Sequence, residues 1–351
     1  KDQSNNVILQ TKREMENDVV YSTDEGKWVT DKDLVDAYTP AQVSSLILKK
    51  LKEYTSDVKK VVITVPAMFA EKARQATLDA AKIADLEVIE LINEPTAAVL
   101  HYASLPGVEV GGRVMIFDLG GGTFDVTFAE VKNKKVDVMT SRGDKYLGGR
   151  DFDKEITKLM KKKYFDVHNV EIDIENNKEY IHKAEEVKKI LSVKDKANIE
   201  ITGPKGPQKI EITQEEFEES IQTYIEKIKM LIEEAMEASG MNPSRINQTL
   251  LVGGSTRMPI ITKVLTQMMG KPPVKGVNVD EAVVCGAAIY AGLKTEKETL
   301  SDQQQEALKE VNLTDVCNFY MGTLAVITDN HTGRRVIANT IIIERDTKLP
   351  V

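Results

Sequence analysis

The residues best suited to chemistry lie in one loop, Asp118-Leu119-Gly120-Gly121-Gly122-Thr123-Phe124-Asp125. A strand-like run, residues 113–117, delivers Asp118 to its carboxyl end, and a second strand-like run begins at Phe124. Glycines let backbone N–H groups approach an anion with no side chain in the way. Thr123 adds a hydroxyl donor, and Asp118 and Asp125 are hard oxygen ligands of the kind Mg²⁺ takes, here through water. A plain hairpin turn explains the pattern less well. Such a turn needs one or two glycines, and each extra one costs ~1 kcal/mol of backbone entropy. The loop is neither GxxxxGK[ST] nor a helix-opening GxGxxG, so the phosphate would sit in a β-hairpin and not on a helix N-terminus.

Three further groups are less specific. Val252-Gly253-Gly254-Ser255-Thr256-Arg257 joins a strand to a helix through a glycine turn. A ring or sugar can approach such a backbone, and Arg257 can stack on a base. The same pattern serves equally as an ordinary capped strand-to-helix connection. Glu94 could join the metal or position a water, although alone it reads better as an acid at a helix start, favoured by the dipole. Glu185, Lys188, Lys189 and Ser192 share one helix face able to grip ribose and base. A solvated charged face is the ordinary explanation of such a run. The four histidines are scattered, and Cys285 and Cys317 have no metal-like spacing.

The elements that must position these residues alternate between strands and amphipathic helices, which predicts an α/β fold. Strands are expected at 61–65, 88–92, 113–117, 124–131, 136–141 and 249–252, with helices at 70–84, 94–102, 150–165, 178–191, 258–269 and 280–293. The turn GPKGPQ is bracketed by strands at 197–202 and 209–213. One long helix is expected over 214–239, with Thr213 and Glu216 as its capping box and Gly240 as its stop. Residues 294–312 are polar and read as a linker. Beyond them, 323–328 and 336–344 alternate like strands around a turn at 329–333.

Bulk properties fit this picture. The 351 residues suffice for about two domains. A net charge of −8 argues against nucleic acid as partner. No apolar run approaches a membrane span, and residues 1–25 lack the apolar core of a secretory signal, so a reduced, cytoplasmic protein is expected. The chain opens on Lys1 and stops on Val351 after an apparent strand, which reads as a piece of a longer protein.

All four groups, in this order, resemble the ATPase domain of the 70-kDa heat-shock chaperones of the DnaK type. The matching stretches are VVITVPAMF (61–69), RQATLDAA (74–81), INEPTAA (92–98), IFDLGGGTFDV (116–126), LGGRDFD (147–153), LLVGGSTRMP (250–259) and VDEAVVCGAA (279–288). LTDV (313–316) and IIIERDTKLPV (341–351) resemble the start of the family's peptide-binding β-domain and lean toward its HscC-like branch. The resemblance implies an actin-like (ribonuclease H-like) ATPase domain of two lobes over residues 1–293, a linker over 294–312, and the first strands of a β-sandwich over 313–351. It implies ATP or ADP and Mg²⁺ as ligands. Gly120, Gly121, Gly122, Thr123 and Gly149 would meet the phosphates. Asp118, Asp125 and Glu94 would act on Mg²⁺ and its waters, with Thr123 in the same hydrolytic group. Glu185, Lys188, Lys189, Ser192, Gly253, Gly254, Ser255, Arg257 and Asp280 would line the adenosine site. Pro66 and Arg74 would link nucleotide state to peptide affinity. The implied activity is that of an ATP-dependent chaperone. Its partners would be unfolded peptides, a J-domain co-chaperone and a nucleotide-exchange factor; the chain itself would be a monomer. The alternative is a nucleotide-binding regulator with little hydrolysis. A sugar or acetate kinase of the same fold would lack the β tail.

The chain departs from the family at several places. The family's first phosphate hairpin and a later catalytic lysine are both expected to be missing. Lys189 stands where an arginine usually stacks on adenine, and Glu90 where bacterial members carry an arginine that docks the J-domain. Asn312 and Thr314 interrupt a run of leucines and are expected to weaken docking of the linker.

Overall fold

The structure is a computed structural model that describes residues 7–30, 34, 36–55, 57–105, 111–175, 177–274, 278–328 and 334–349. It opens with α1 (Thr11–Glu14) and a small antiparallel sheet of β1 (Val20–Ser22), β2 (Lys27–Val29) and β3 (Ala37–Tyr38). Helix α2 (Pro40–Lys52) starts at a capping box: Gln42 N–H donates to Thr39 Oγ1 at 3.2 Å, and Thr39 N–H to Gln42 Oε1 at 2.8 Å. Strands β4 (Lys60–Val65) and β5 (Glu87–Asn93) pair in parallel, with α3 (Glu71–Ile83) as their crossover. Helix α4 (Glu94–Ser104) follows β5 without a loop, so Glu94 occupies its first turn.

Next come β6 (Gly111–Leu119), β7 (Phe124–Lys132) and β8 (Lys135–Asp144), an antiparallel meander. After α5 (Gly149–His168) and α6 (Lys178–Leu191), the hairpin β9 (Lys196–Gly203)–β10 (Gly206–Thr213) leads to α7 (Gln214–Ser220) and α8 (Gln222–Ser239). The single helix expected over 214–239 is therefore broken. The Ser220 hydroxyl donates to the Phe217 carbonyl at 2.7 Å and competes with the helix ladder. Phe217, Ile221 and Ile225, on both sides of the break, all reach the core. Then follow β11 (Gln248–Val252), α9 (Pro259–Met269), α10 (Ala282–Lys294), α11 (Asp302–Leu308), β12 (Asn312–Val316), β13 (Met321–Thr328), β14 (Arg335–Ile343) and β15 (Lys348–Leu349).

The main sheet has the order β11-β6-β7-β8-β12-β15 and is covered on both faces. Alternation divides its side chains: Met115, Phe117 and Leu119 enter the core under α5, α8 and α9, while Val114 and Ile116 pack toward α4 and α10. That two-sided burial is why residues 114–117 read as an unbroken apolar run. Helices α4 and α10 touch so closely that a Cβ on Gly286 would lie 1.7 Å from the Ala97 carbonyl oxygen.

The polar stretch 294–312 is not featureless. It carries α11, capped by Ser301, and ends by adding β12 to the sheet beside β8. The expectation that Asn312 and Thr314 weaken this docking is corrected by the strand's alternation. Leu313 is buried, whereas Asn312 faces solvent and Thr314 is half-buried. The loop into β15 is clasped to β8: Asp346 receives both Arg142 Nη atoms at 3.1 and 2.9 Å and the Thr140 hydroxyl at 2.9 Å. The turn expected at 329–333 lies outside the described residues.

Candidate nucleotide site

Register builds the centre of the site. In the β6–β7 hairpin Asp118 stands directly opposite Asp125, and Gly120 to Thr123 close the turn through a 3.1 Å bond from Gly120 N–H to Thr123 O. The loop carbonyls are tied away from the cleft. Gly120 O accepts from Gly149 N–H at 2.9 Å and from the Ser255 hydroxyl at 2.9 Å; Gly121 O accepts from Arg150 N–H at 3.0 Å. The Gly121 and Gly122 N–H groups make no hydrogen bond among the described residues. The first turn of α5 therefore holds the loop with amide donors to spare, which is what an anion requires.

Two like charges opposed across a ladder repel, and here both are buried. Burial, then Glu94, pushes the Asp118 pKa up to about 7, with Lys12 opposing. Burial, then Asp118 and Glu94, holds Asp125 well above the carboxylate range, opposed by Lys12 and by an Ala67 backbone donor. Asp125 Oδ1 is buried without a hydrogen-bond partner.

A cation does enter this crowd. Lys12 Nζ donates to both oxygens of Glu94, at 2.8 and 3.0 Å. Its side chain is half-exposed, but the atoms packed around the ammonium disfavour the charge. Glu94 first, then Asp118 and Asp125, more than offset this and raise its pKa. The expectation that no lysine would be found in this half of the site is thus overturned. Arg13, its neighbour, donates from Nε to Gly122 O at 2.8 Å and pairs with Asp151 through both Nη atoms, deep in the structure. Neither residue was legible in the sequence, because Lys12-Arg13 sits in a polar stretch with no periodicity. Only the family's expectation of an upstream lysine could have pointed there.

The second glycine turn lies beside the first. β11 runs parallel to β6 with Val252 opposite Asp118. Gly253 has φ +84°, and a Cβ there would come within 2.5 Å of Leu119 O, so glycine is required for the two turns to meet. A cleft of ≈ 1620 Å³ opens from this junction, lined by Gly121, Glu185, Lys189, Ser192, Gly254, Ser255 and Arg257. Arg150, not singled out from the sequence, lines it as well. Lys188 also reaches the lining but is mostly buried, with Nζ on Gly149 O at 2.8 Å and on Asp153 at 2.7 Å. Lys189 pairs with Glu185 at 2.7 Å. Arg257 is held bidentately by Asp280 at 3.0 and 2.7 Å, so Asp280 acts behind the wall and not on it.

Of the two residues expected to link the site to the tail, Arg74 belongs to a polar network that reaches β12. Arg74 Nη2 donates to Asn93 Oδ1 at 2.6 Å; Asn93 Nδ2 and the Thr96 hydroxyl each donate to Asp315 of β12 at 3.1 Å. Glu94 lies between those two donors in sequence. Pro66 is buried at the end of β4. Glu90 is paired with Lys294 at 2.7 Å.

Among the described residues no three carboxylates, imidazoles or thiols converge closely enough to hold a metal directly. Two buried carboxylates with one orphaned oxygen fit a hydrated divalent cation bound through its waters. No helix among the described residues is long and apolar enough to cross a membrane.

Residues 1–349 match the Hsp70 protein family. The chain is 37% identical over 330 residues to the chaperone protein dnaK of Trieres chinensis, covering 90% of this chain and 50% of the relative. It is 40% identical over 270 residues to that of Thalassiosira pseudonana, covering 73% and 44%. To DnaK of Thermus thermophilus it is 36% identical over 330 residues, covering 89% and 50%. The chain thus spans about half the length of these relatives, and none of the three supports the HscC-like leaning of the tail. With a family match over nearly its whole length and two glycine turns meeting at a buried carboxylate pair, the chain belongs to the Hsp70 family and has its actin-like, two-lobed α/β fold.

Proposed function

We propose that this chain is the ATP-binding and ATP-hydrolysing part of an Hsp70-type chaperone. Residues 1–293 form the nucleotide domain, 294–312 the linker, and 313–351 the first strands of a peptide-binding β-domain. The observation that carries this reading is the cluster of Lys12, Glu94, Asp118 and Asp125 beside a glycine loop in which the Gly121 and Gly122 amides have no partner among the described residues. The loop amides, the Thr123 hydroxyl and Gly149 receive the phosphates. Glu185, Lys189, Ser192, Gly253, Gly254, Ser255 and Arg257 receive adenosine, with Lys188 and Asp280 bracing that wall.

Asp118 and Asp125, with Glu94 beside them, would hold Mg²⁺ through its waters. Bound there, the ion supplies neutralising charge to the phosphates. The chain's own residues do the rest. Lys12 offers ammonium donors toward the γ-phosphate, and Glu94 fixes its direction through a bidentate contact. The carboxylates orient the attacking water, and hydrolysis is mainly positioning and charge stabilisation. Arg150 places a further cation where the loop meets the adenosine side. A regulator without hydrolysis is the poorer reading, because such a binder has no use for a costly buried carboxylate cluster.

Unfolded peptides, a J-domain co-chaperone and a nucleotide-exchange factor would be the partners of the longer protein. Glu90, tied to Lys294, makes the co-chaperone's usual acidic motif a poor match. A cytoplasmic setting fits the two unpaired cysteines. Single-turnover hydrolysis of Mg-ATP by this chain tests the proposal. Burst formation of ADP, lost in Asp118→Asn, is expected; an unchanged rate in that variant would overturn the enzymatic role.

A further inference from the structure

A second cavity, of ≈ 550 Å³, opens where β12 and β15 meet α3, β5 and α10. Its walls are largely apolar, with Phe69, Leu91, Tyr290, Phe319, Met321 and Leu349 among them, and its size suits a small molecule. Among its polar lining residues, which include Glu71, Arg74, Glu90 and Asp315, Cys317 and Asn318 stand at consecutive positions. Cys317 is a free thiol whose Sγ donates to Phe319 O at 3.0 Å. Asn318 is only 5% exposed; its Nδ2 donates to Ala67 O at 2.9 Å, but its Oδ1 is buried without a partner. The Arg74 guanidinium lines the same cavity.

We propose that this cavity is a modification site for apolar-tailed α,β-unsaturated carbonyls carrying a hydroxyl, the 4-hydroxy-2-alkenals, which become attached to Cys317. Each part of such a molecule has a counterpart. The alkyl tail meets the apolar walls, the hydroxyl donates to Asn318 Oδ1, and the electrophilic β-carbon meets the sulfur. In the step itself the thiol proton leaves to solvent and the sulfur forms a bond to the β-carbon. The C=C π pair moves onto the α-carbon, which then takes a proton from solvent. The sum is addition of S–H across the double bond, with nothing oxidised or reduced.

The adduct has a structural consequence. Cys317 N–H donates to Thr347 O at 2.8 Å, and Cys317 O accepts from Asp346 N–H at 2.8 Å. A tail lodged against Leu349 and Met321 strains this seam, which also carries the Arg142–Asp346 clasp.

The test is peptide-level mass spectrometry of this chain after brief exposure to 4-hydroxy-2-nonenal, 2-nonenal or acrolein. Cys285, on α10 and away from this cavity, is the internal reference. Hydroxynonenal should label Cys317 at least tenfold faster than Cys285, nonenal should show a smaller preference, and acrolein none. Asn318→Leu should bring hydroxynonenal down to the nonenal preference. Hydrogen exchange of residues 346–349 should be several-fold faster in the adduct. Equal labelling of both cysteines by hydroxynonenal, the same ratio with acrolein, or an adduct that leaves exchange unchanged would each overturn the proposal.

Discussion

The two walls of the proposed nucleotide cleft are built on opposite principles. On the phosphate side, Asp118, Asp125 and Asp151 are buried, and the carbonyls of Gly120, Gly121 and Gly122 are held by donors from other elements. On the adenosine side, Lys189–Glu185 and Arg257–Asp280 are solvated pairs that satisfy each other. Buried charge is costly to arrange and fixes geometry; exposed pairs contribute little and can be exchanged. The contrast teaches where this protein tolerates change: the base-facing wall is open to substitution, whereas the phosphate wall is not.

Removing charge from the phosphate wall should have the largest effect. Lys12→Ala and Asp118→Asn should each slow single-turnover hydrolysis on the order of 10²–10³-fold, as loss of a preorganised electrostatic group does. Rapid-quench measurement of ADP checks this. A fall of less than threefold for Lys12→Ala would show that its contact with Glu94 is only structural.

Next in size is the junction of the two glycine turns. Gly253→Ala forces a Cβ against Leu119 O at a φ of +84°. It should cost roughly 2–4 kcal/mol of stability, read from the urea midpoint. The equivalent change at Gly121, whose Cβ would meet nothing within 4 Å, should cost far less.

The same carboxylates that we propose act in hydrolysis should destabilise the empty cleft. Asp118 has a folded pKa of about 7, above its unfolded value of 3.8. Between those values the folded chain binds more protons than the unfolded one, so stability falls as pH rises and the penalty is complete above 7. Asp118→Asn should therefore be more stable than the wild type at pH 8, by on the order of 1–3 kcal/mol, and should lose that advantage toward pH 4. Thermal midpoints across that range decide it. The smallest effects belong to the adenosine wall. Arg257→Ala should weaken ATP by a few-fold with no change in thermal midpoint, and Lys189→Arg should tighten it by about twofold through better stacking.

This contrast also explains what could be read without coordinates. The glycine triplet between two strands was legible, because both its composition and its flanking runs are local signals. Gly253-Gly254 was legible only as one of two alternatives, since its need for glycine arises from Leu119, far away in the chain. Lys12 and Arg13 were not legible: their contacts span 82 and 109 residues and follow no periodicity. Lys188 was placed on the correct face, but its ties to Gly149 and Asp153 depend on how α6 packs against α5. In the tail, Asn312 and Thr314 were read against the family's run of leucines when the strand period was the better guide.

Calorimetric titration of ATP into this chain, with and without Mg²⁺, tests the central claim most directly. One nucleotide should bind per chain, more tightly with Mg²⁺, and Asp118→Asn should abolish the Mg²⁺ dependence while retaining weak ATP binding. Absence of binding heat under both conditions, or an affinity indifferent to Mg²⁺ in the wild type, would contradict the account.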